Sequence, residues 1–388
     1  MTPVRHARRH TAGAALMFAS NGAMLASLLP WYPALIREWG LTEIQFGLIV
    51  AAMPAGSLVS SVLPARVVAK WGPSAAVIGG TAVMAALIAA VGWIGGGAAL
   101  ALILFLFGIV DATADVGQNV VGTRVQERAG KSVISTLHAC WSLGATLGGA
   151  LATWAATAGV PLRVHLAVAA AVSLAMAVAG TRLTGRAAGV PAARADDPAP
   201  AARAMWPVFV AVLPLAIVAI AGTAVEDTGQ NWAGLASVEL AGVAVASAGV
   251  AYAVFLTAQT IGRFAGDRVI DAFGRARVAA AGGALIAVGG VLVVTAPAAP
   301  ALIAGFALAG FGCATLVPSA FAAAAALPGL SDGVGVTLIG WLMRMGFLAT
   351  SPAIGAVATG AGLSVALGIL VILGVVVMAC APALRERA

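Results

Sequence analysis

The sequence predicts an all-α integral membrane protein: twelve transmembrane helices in two parallel, pseudo-symmetric halves of six. Three observations predict it. Of 388 residues, 61% are hydrophobic and only 9% charged, and the mean hydropathy is +1.03; ordinary soluble domains carry about a quarter charged residues. Twelve largely apolar runs each reach the ~20 residues that a spanning helix needs. A shift of 202 positions lays basic and glycine-containing stretches of the second half on those of the first.

The first six runs lie near 11–36, 43–66, 74–95, 98–122, 132–157 and 162–181. The second six lie near 206–233, 243–266, 276–296, 300–326, 333–358 and 362–383. Glycine and alanine are abundant within them, as expected where membrane helices pack closely without help from water. The loops are short except 182–205, a Pro/Ala/Arg-rich stretch with no apolar period, which reads as a flexible cytoplasmic linker between halves 1–181 and 206–388. The basic N-terminus before the first run superficially resembles a secretory signal, but that run is too long for a signal core and eleven more follow.

Charge distribution sets the expected orientation. Arg37 and Arg163 fall in loops on one side and Arg344 falls inside a span, while the other Lys and Arg lie at the termini and in alternate loops on the opposite side. By the positive-inside rule that side is cytoplasmic, and so are both termini. Topology therefore accounts for the net charge of +7 and the pI near 10.3 without a nucleic-acid role. Cys140, Cys313 and Cys380 sit in apolar runs with no paired or metal-type spacing, against a disulfide framework or a zinc site.

The 202-residue shift places "SSVLPARVVAKWGPSA" (Ser60–Ala75) on "GRFAGDRVIDAFGRAR" (Gly262–Arg277), so that Arg66 meets Arg268 and Gly72 meets Gly274. It also pairs Gly40 with Gly242, Gly47 with Gly249, Gly108 with Gly310 and Gly144 with Gly346. Parallel six-helix repeats with a midplane site are a transporter architecture.

The stretch "GRFAGDRVIDAFGRARV" resembles the cytoplasmic loop motif of the major facilitator superfamily, roughly G-x-x-x-D-R-x-G-R-(R/K). Gly262, Asp267, Arg268, Gly274, Arg275 and Arg277 carry the match, with a longer spacing before the second glycine. The first-half copy has Ala65 for the aspartate and Pro73 and Ala75 for arginines. The segments "LHACWSLGATLGG", "VEDTGQNWAGL" and "RMGFLATSPAIG" resemble the fucose-permease-like branch. The resemblance implies alternating access, with spans 1, 4, 7 and 10 lining a central cavity. It also implies that Asp267, Arg268, Gly274, Arg275 and Arg66 act as a conformational latch, an aspartate being stabilised by the amides of a nearby helix N-terminus. Alternatively these charges simply anchor the loop among lipid headgroups.

Within the fourth run Asp111, Asp115, Gln118 and Asn119 fall in about 100° of arc, a single polar stripe. A carboxylate near the bilayer centre costs at least ~2.5 kcal/mol on insertion scales, so it is expected to face protein or water. Two carboxylates at i and i+4 disfavour joint ionisation, which suits proton carriage. In the seventh run Glu226 shares a face with Gln230, and Asp227 with Asn231. Counting about 30 Å outward from Trp206 at 1.5 Å per residue places them in the outer membrane region, as a substrate or gate site or as the end of the helix in water. His138, on nearly the face of Ser135 and Ser142, either relays protons or bonds to a neighbouring helix. Arg344 reads as the sole intramembrane cation; its candidate partners are Asp111, Asp115, Glu226 or an anionic substrate. Asn21 completes the pathway set, and the first span has no acid between His10 and Glu38, unlike fucose-permease-like carriers. Trp71, Trp93 and Trp154 near span ends read as interfacial anchors.

Nothing points to an enzyme. There is no convincing nucleophile–base pair, no H-E-x-x-H and no phosphate-binding G-x-x-x-x-G-K-[ST], so neither a cofactor nor direct ATP drive is expected. The expectation is a monomeric, proton-gradient-driven carrier of a small molecule in a bacterial inner membrane, with uptake of a polar solute preferred over efflux of amphipathic cations. A non-transporting membrane sensor is the reading from another class; it would usually carry a signalling extension, and both tails here are short.

Overall fold

The computed structural model describes residues 3–130, 133–185, 205–296, 298–325 and 334–385, so 186–204 of the expected linker lie outside the described residues. All regular structure among them is helical. In chain order the α-helices are α1 (Pro3–Ala26), α2 (Tyr32–Trp39), α3 (Glu43–Val59), α4 (Leu63–Trp71), α5 (Pro73–Val91), α6 (Gly97–Ala129), α7 (Ile134–Thr157) and α8 (Leu162–Thr184). They continue with α9 (Met205–Glu239), α10 (Gly249–Phe273), α11 (Arg275–Thr295), α12 (Ala299–Cys313), α13 (Leu316–Ala325), α14 (Val334–Ala361), α15 (Leu363–Leu367) and α16 (Ile369–Cys380).

Nine stretches among the described residues are long and apolar enough to cross a membrane, and ten if α3 and α4, bent by 58° at their junction, form one span. The remaining two of the twelve expected runs fall on α7 and α14, outside this set. In α7 a histidine and a series of glycines, serines and threonines dilute the apolar content.

The chain divides into two compact units. The first is Met1–Leu41 with Ala52–Ala193, and the second is Thr42–Ala51 with Arg194–Ala388. In the first unit α1 packs chiefly on α7 and α8, and α5 on α6 and α8. In the second, α9 packs on α14, and α11 on α12 and α16, which are the repeat-equivalent pairings. The segment Thr42–Ala51 was expected with the first half but belongs to the second unit. There the Phe46 ring meets Trp232 edge-on at 5.1 Å, Gly47 lies against the backbone of Ser351, and the Ile44 amide donates to Thr359 Oγ1 at 3.1 Å.

Backbone geometry reproduces the 202-residue repeat. Gly72 and Gly274 have φ of 83° and 82°, and each ends one helix and begins the next. A side chain there would be strained, and glycine is not. Gly108 of α6 presses on the carbonyl of Met53, and Gly310 of α12 presses on that of Phe255. Met53 and Phe255 are themselves repeat equivalents, so one helix crossing occurs once in each unit. Apolar side chains gain little by leaving lipid for another helix, and close backbone approach is what holds such crossings.

Gly108→Ala and Gly310→Ala are therefore expected to push their crossings apart at a cost of about 1–3 kcal/mol each. Gly79→Ala, with no atom near the added methyl, is expected to be neutral or stabilising. Thermal midpoints in detergent check this, and equal midpoints in all three variants would contradict the packing account.

Candidate functional site

In the first unit the polar residues of α1, α6 and α7 form one network. Helices α1 and α7 touch backbone to backbone, Gly22 against Trp141 and Gly144 against Ala19. This brings Trp141 Nε1 to Asn21 Oδ1 at 2.7 Å. An indole N–H can only donate, so it selects the oxygen end of the Asn21 amide. The NH₂ end then points at Asp111 and donates to Oδ1 at 2.8 Å. One turn further along α6, Asp115 Oδ1 accepts from Gln118 Nε2 at 3.0 Å and Asn119 Nδ2 at 3.1 Å. Gln118 is buried, Asp111 and Asn119 are half-buried, and Asp115 is exposed. Both aspartates lie near the middle of α6, whose 33 residues span about 50 Å. His138 is exposed and stands edge-on to Phe18, with ring centroids 5.2 Å apart.

The second unit carries its own cluster, on α9, α10, α12 and α14. Helix α9 continues to Glu239, and Glu226 and Asp227 fall at the middle of the apolar stretch Val212–Glu239. The expected place in the outer membrane region is thus corrected to mid-span, and of the two alternatives the helix end falls away: counting began at Trp206, whereas the apolar stretch starts later and runs further. Glu226 forms an ion pair with Arg263 of α10 at 3.1 Å and also accepts from Gln230 at 3.1 Å. Asp227 is 5% exposed, and each of its carboxylate oxygens has a donor. Asn231 donates to its Oδ1, Ser351 Oγ donates to its Oδ2, and Trp232 Nε1 in turn donates to Ser351 Oγ at 3.0 Å. Nearby, Gln259 Nε2 approaches Cys313 Sγ at 3.6 Å.

Arg263 corrects two expectations. Arg344 is not the only cation inside a span: Arg263 already falls within the expected run 243–266, and it lies near the centre of α10. Within this unit the partner of Glu226 is Arg263 rather than Arg344. Arg344 is exposed near the middle of α14. Among the described residues no group of three or more His, Cys, Asp or Glu could hold a metal ion.

Over 372 residues the chain is 28% identical to an uncharacterized MFS-type transporter of Yersinia pestis, covering 96% of this chain and 94% of that protein. It is 27% identical over 381 residues to an uncharacterized transporter of Sinorhizobium fredii, covering 96% and 98%. The fold matches a crystal structure of the nucleoside transporter NupG with TM-score 0.76 at 11% identity, covering 98% of this chain and all of that one. It matches a bacterial homologue of the human lysosomal transporter Spinster with TM-score 0.74 at 13% identity, covering 99% and 97%. No family model matches the chain. Over nearly its whole length the chain is thus similar to MFS-type membrane transporters.

Other residues singled out in the transporter's sequence lie apart from these clusters. Asp267 and Arg268 are exposed on the last turns of α10, Gly274 joins α10 to α11, Arg275 opens α11, and Arg66 is exposed on α4. Within the second unit Asp267 makes no side-chain hydrogen bond or ion pair among the described residues, so the contact with a helix N-terminus is not formed there. Trp71 and Trp93 are exposed at helix ends with Lys70 and Arg163 over their rings at 5.1 and 5.5 Å.

Sequence reasoning missed Trp141, Arg263 and Ser351. Of these, Arg263 left a usable signal: it is four residues from Gln259 and one turn before Asp267, on one helical face.

Removing one partner of the Glu226–Arg263 pair strands the other charge. Arg263→Gln is expected to destabilise the transporter by about 2 kcal/mol, below the ~3–5 of a fully buried pair, because Arg263 is 31% exposed. The double variant Arg263→Gln/Glu226→Gln is expected to recover part of that loss. A thermal-stability double-mutant cycle in detergent checks it; strict additivity would remove the coupling.

Proposed function

We propose that the transporter is a secondary active carrier that takes up a small polar solute by alternating access, driven by the proton gradient and without a cofactor. It works as a monomer in a bacterial inner membrane, with both termini cytoplasmic, as the distribution of Lys and Arg supports.

The observation that carries this reading is the pair of aspartates at the centre of α6. Asp115 is exposed at mid-helix, and an ionisable group at that depth belongs beside water rather than lipid. Asp111 is bonded to a neutral amide, so it can gain or lose a proton without stranding an opposite charge. Glu226 is neutralised by Arg263, and both oxygens of Asp227 are held, by Asn231 and Ser351. The reading therefore assigns protons to the α6 pair and leaves Glu226, Gln230, Arg263 and Arg344 as candidate solute contacts. His138, exposed on α7, is a candidate to pass protons on.

Transport homology supports a non-enzymatic role. Structural neighbours include carriers of nucleosides, peptides and organic anions, all solutes with polar groups, which fits a lining of carboxylates, carboxamides and arginines. The second reading, export of amphipathic cations, rests on the same exposed Asp115 carboxylate.

The test is solute-driven proton movement in proteoliposomes loaded with a pH-sensitive dye. The panel comprises nucleosides, dipeptides, sugars, organic acids and cationic dyes, with Asp111→Asn and Asp115→Asn in parallel. Uptake coupling is expected as proton flow in the same direction as the solute, abolished in either variant. Flow opposite to a cationic dye would favour export. Solute movement with a flat proton signal in every variant would sink the coupling.

A further inference from the structure

We propose that the second unit holds one anionic phospholipid in a two-part site where α10 passes into α11. The first part is a groove of about 360 Å³ between α10, α11 and α12, floored by Gly262, Gly266, Gly282 and Gly312 and walled by Val269 and Phe273. The second is a basin of about 690 Å³ that contains Arg275, Arg277 and Arg385. Phe273 and Arg277 line both, so groove and basin are continuous.

The groove is lined mainly by glycine and apolar side chains; its four glycines let α10, α11 and α12 meet closely along its floor, and it opens on a wall that is itself apolar and exposed. Ile261, Phe264 and Phe273 are 56%, 58% and 60% exposed. In a membrane protein such a wall meets lipid, and what reaches a groove in it is an acyl chain. From Gly262 to Phe273 the helix rises about 16 Å at 1.5 Å per residue, close to half of the ~30 Å hydrocarbon core and thus to the depth of one leaflet.

The basin is where a headgroup would then lie. Three guanidiniums face one carboxylate, that of Asp271, which leaves a surplus of two positive charges. Arg277 and Arg385 are exposed, and Arg275 is half-buried. Planar guanidinium forks suit a phosphate ester, and basic pockets at the ends of membrane helices bind anionic headgroups. A free phosphate would use the basin and ignore the groove; a zwitterionic lipid would use the groove and gain little from the surplus charge. An anionic phospholipid uses both. The site stands apart from the polar clusters of α6 and α9 and does not depend on which solute is carried or on how transport is driven. Its occupant would brace the Gly274 joint and the motif arginines around it.

The experiment is native mass spectrometry of the full-length protein in detergent, titrated with phosphatidylglycerol and with phosphatidylcholine of the same chains. Wild type is expected to prefer phosphatidylglycerol by about 30-fold, at ~1 kcal/mol for each surplus charge. Arg277→Gln/Arg385→Gln is expected to bring the two lipids level. Ala281→Phe, which fills the groove at an exposed position, is expected to weaken both. If the double variant is lost on purification, either single arginine variant should still reduce the preference by about fivefold. The proposal is overturned by equal binding of both lipids to wild type, by a preference that survives the arginine substitutions, or by glycerol phosphate competing as strongly as the intact lipid.

Discussion

A tryptophan indole nitrogen has a proton to give and no lone pair to receive one, and in each unit this one-sidedness sets the direction of a chain of hydrogen bonds. Trp141 donates to Asn21, which turns its NH₂ toward Asp111. Trp232 donates to Ser351, whose hydroxyl then has its proton free for Asp227. Both chains end on a carboxylate at the centre of a long apolar helix. Without a donor, such a carboxylate would bear its full desolvation cost. Each chain ties together helices that lipid alone would not press into contact, α1 to α6 and α7, and α9 to α14.

Donors reach these distances only because the backbones come close. Gly22 and Gly144 let α1 and α7 approach until Trp141 lies beside Asn21, and Gly346 of α14 lies against Ile220 and Thr223 of α9. Small residues and polar bonds thus act together: glycine removes the side chains that would hold helices apart, and the polar bond gives the contact its register. In a soluble protein water would drive the same helices together through their apolar faces. Here that force is missing and the outer surface is left apolar, with Trp93 and Ile372 at 74% and 63% exposed.

The helices were legible because lipid demands runs of a fixed minimum length, and the repeat was legible because glycines required by a positive φ or a tight crossing recur at one offset. The stripe on α6 followed from its spacing. The donors that organise the clusters were not legible, since Trp141 stands 120 positions from Asn21 and Ser351 stands 124 from Asp227. Periodicity reports which face of a helix is polar and carries no information about the helix opposite. Arg263 was legible and overlooked: it falls within the expected run 243–266, but it is also the second residue of the stretch read as a loop motif, and that match drew attention to the charges downstream of it. The transfer of Thr42–Ala51 to the second unit had no signature, because α3 runs as one helix across the division at Ala51.

Asp111, Glu226 and Asp227, the buried or half-buried acids within the two clusters, differ in what protonation would do to their surroundings, and this separates their roles on the proposed reading. A neutral Glu226 would leave the Arg263 guanidinium without its counter-ion. A neutral Asp227 would introduce a proton where Ser351 and Asn231 already supply donors, and one of those donors would have to turn away. Asp111 meets neither obstacle: its acid form still offers a carbonyl oxygen to the Asn21 amide, and its other oxygen can carry the proton. Asp115, four residues on and exposed, provides a second carboxylate one turn away. A site that exchanges protons repeatedly has to survive both protonation states with its geometry intact. Of the three, Asp111 is the one whose neighbours permit it.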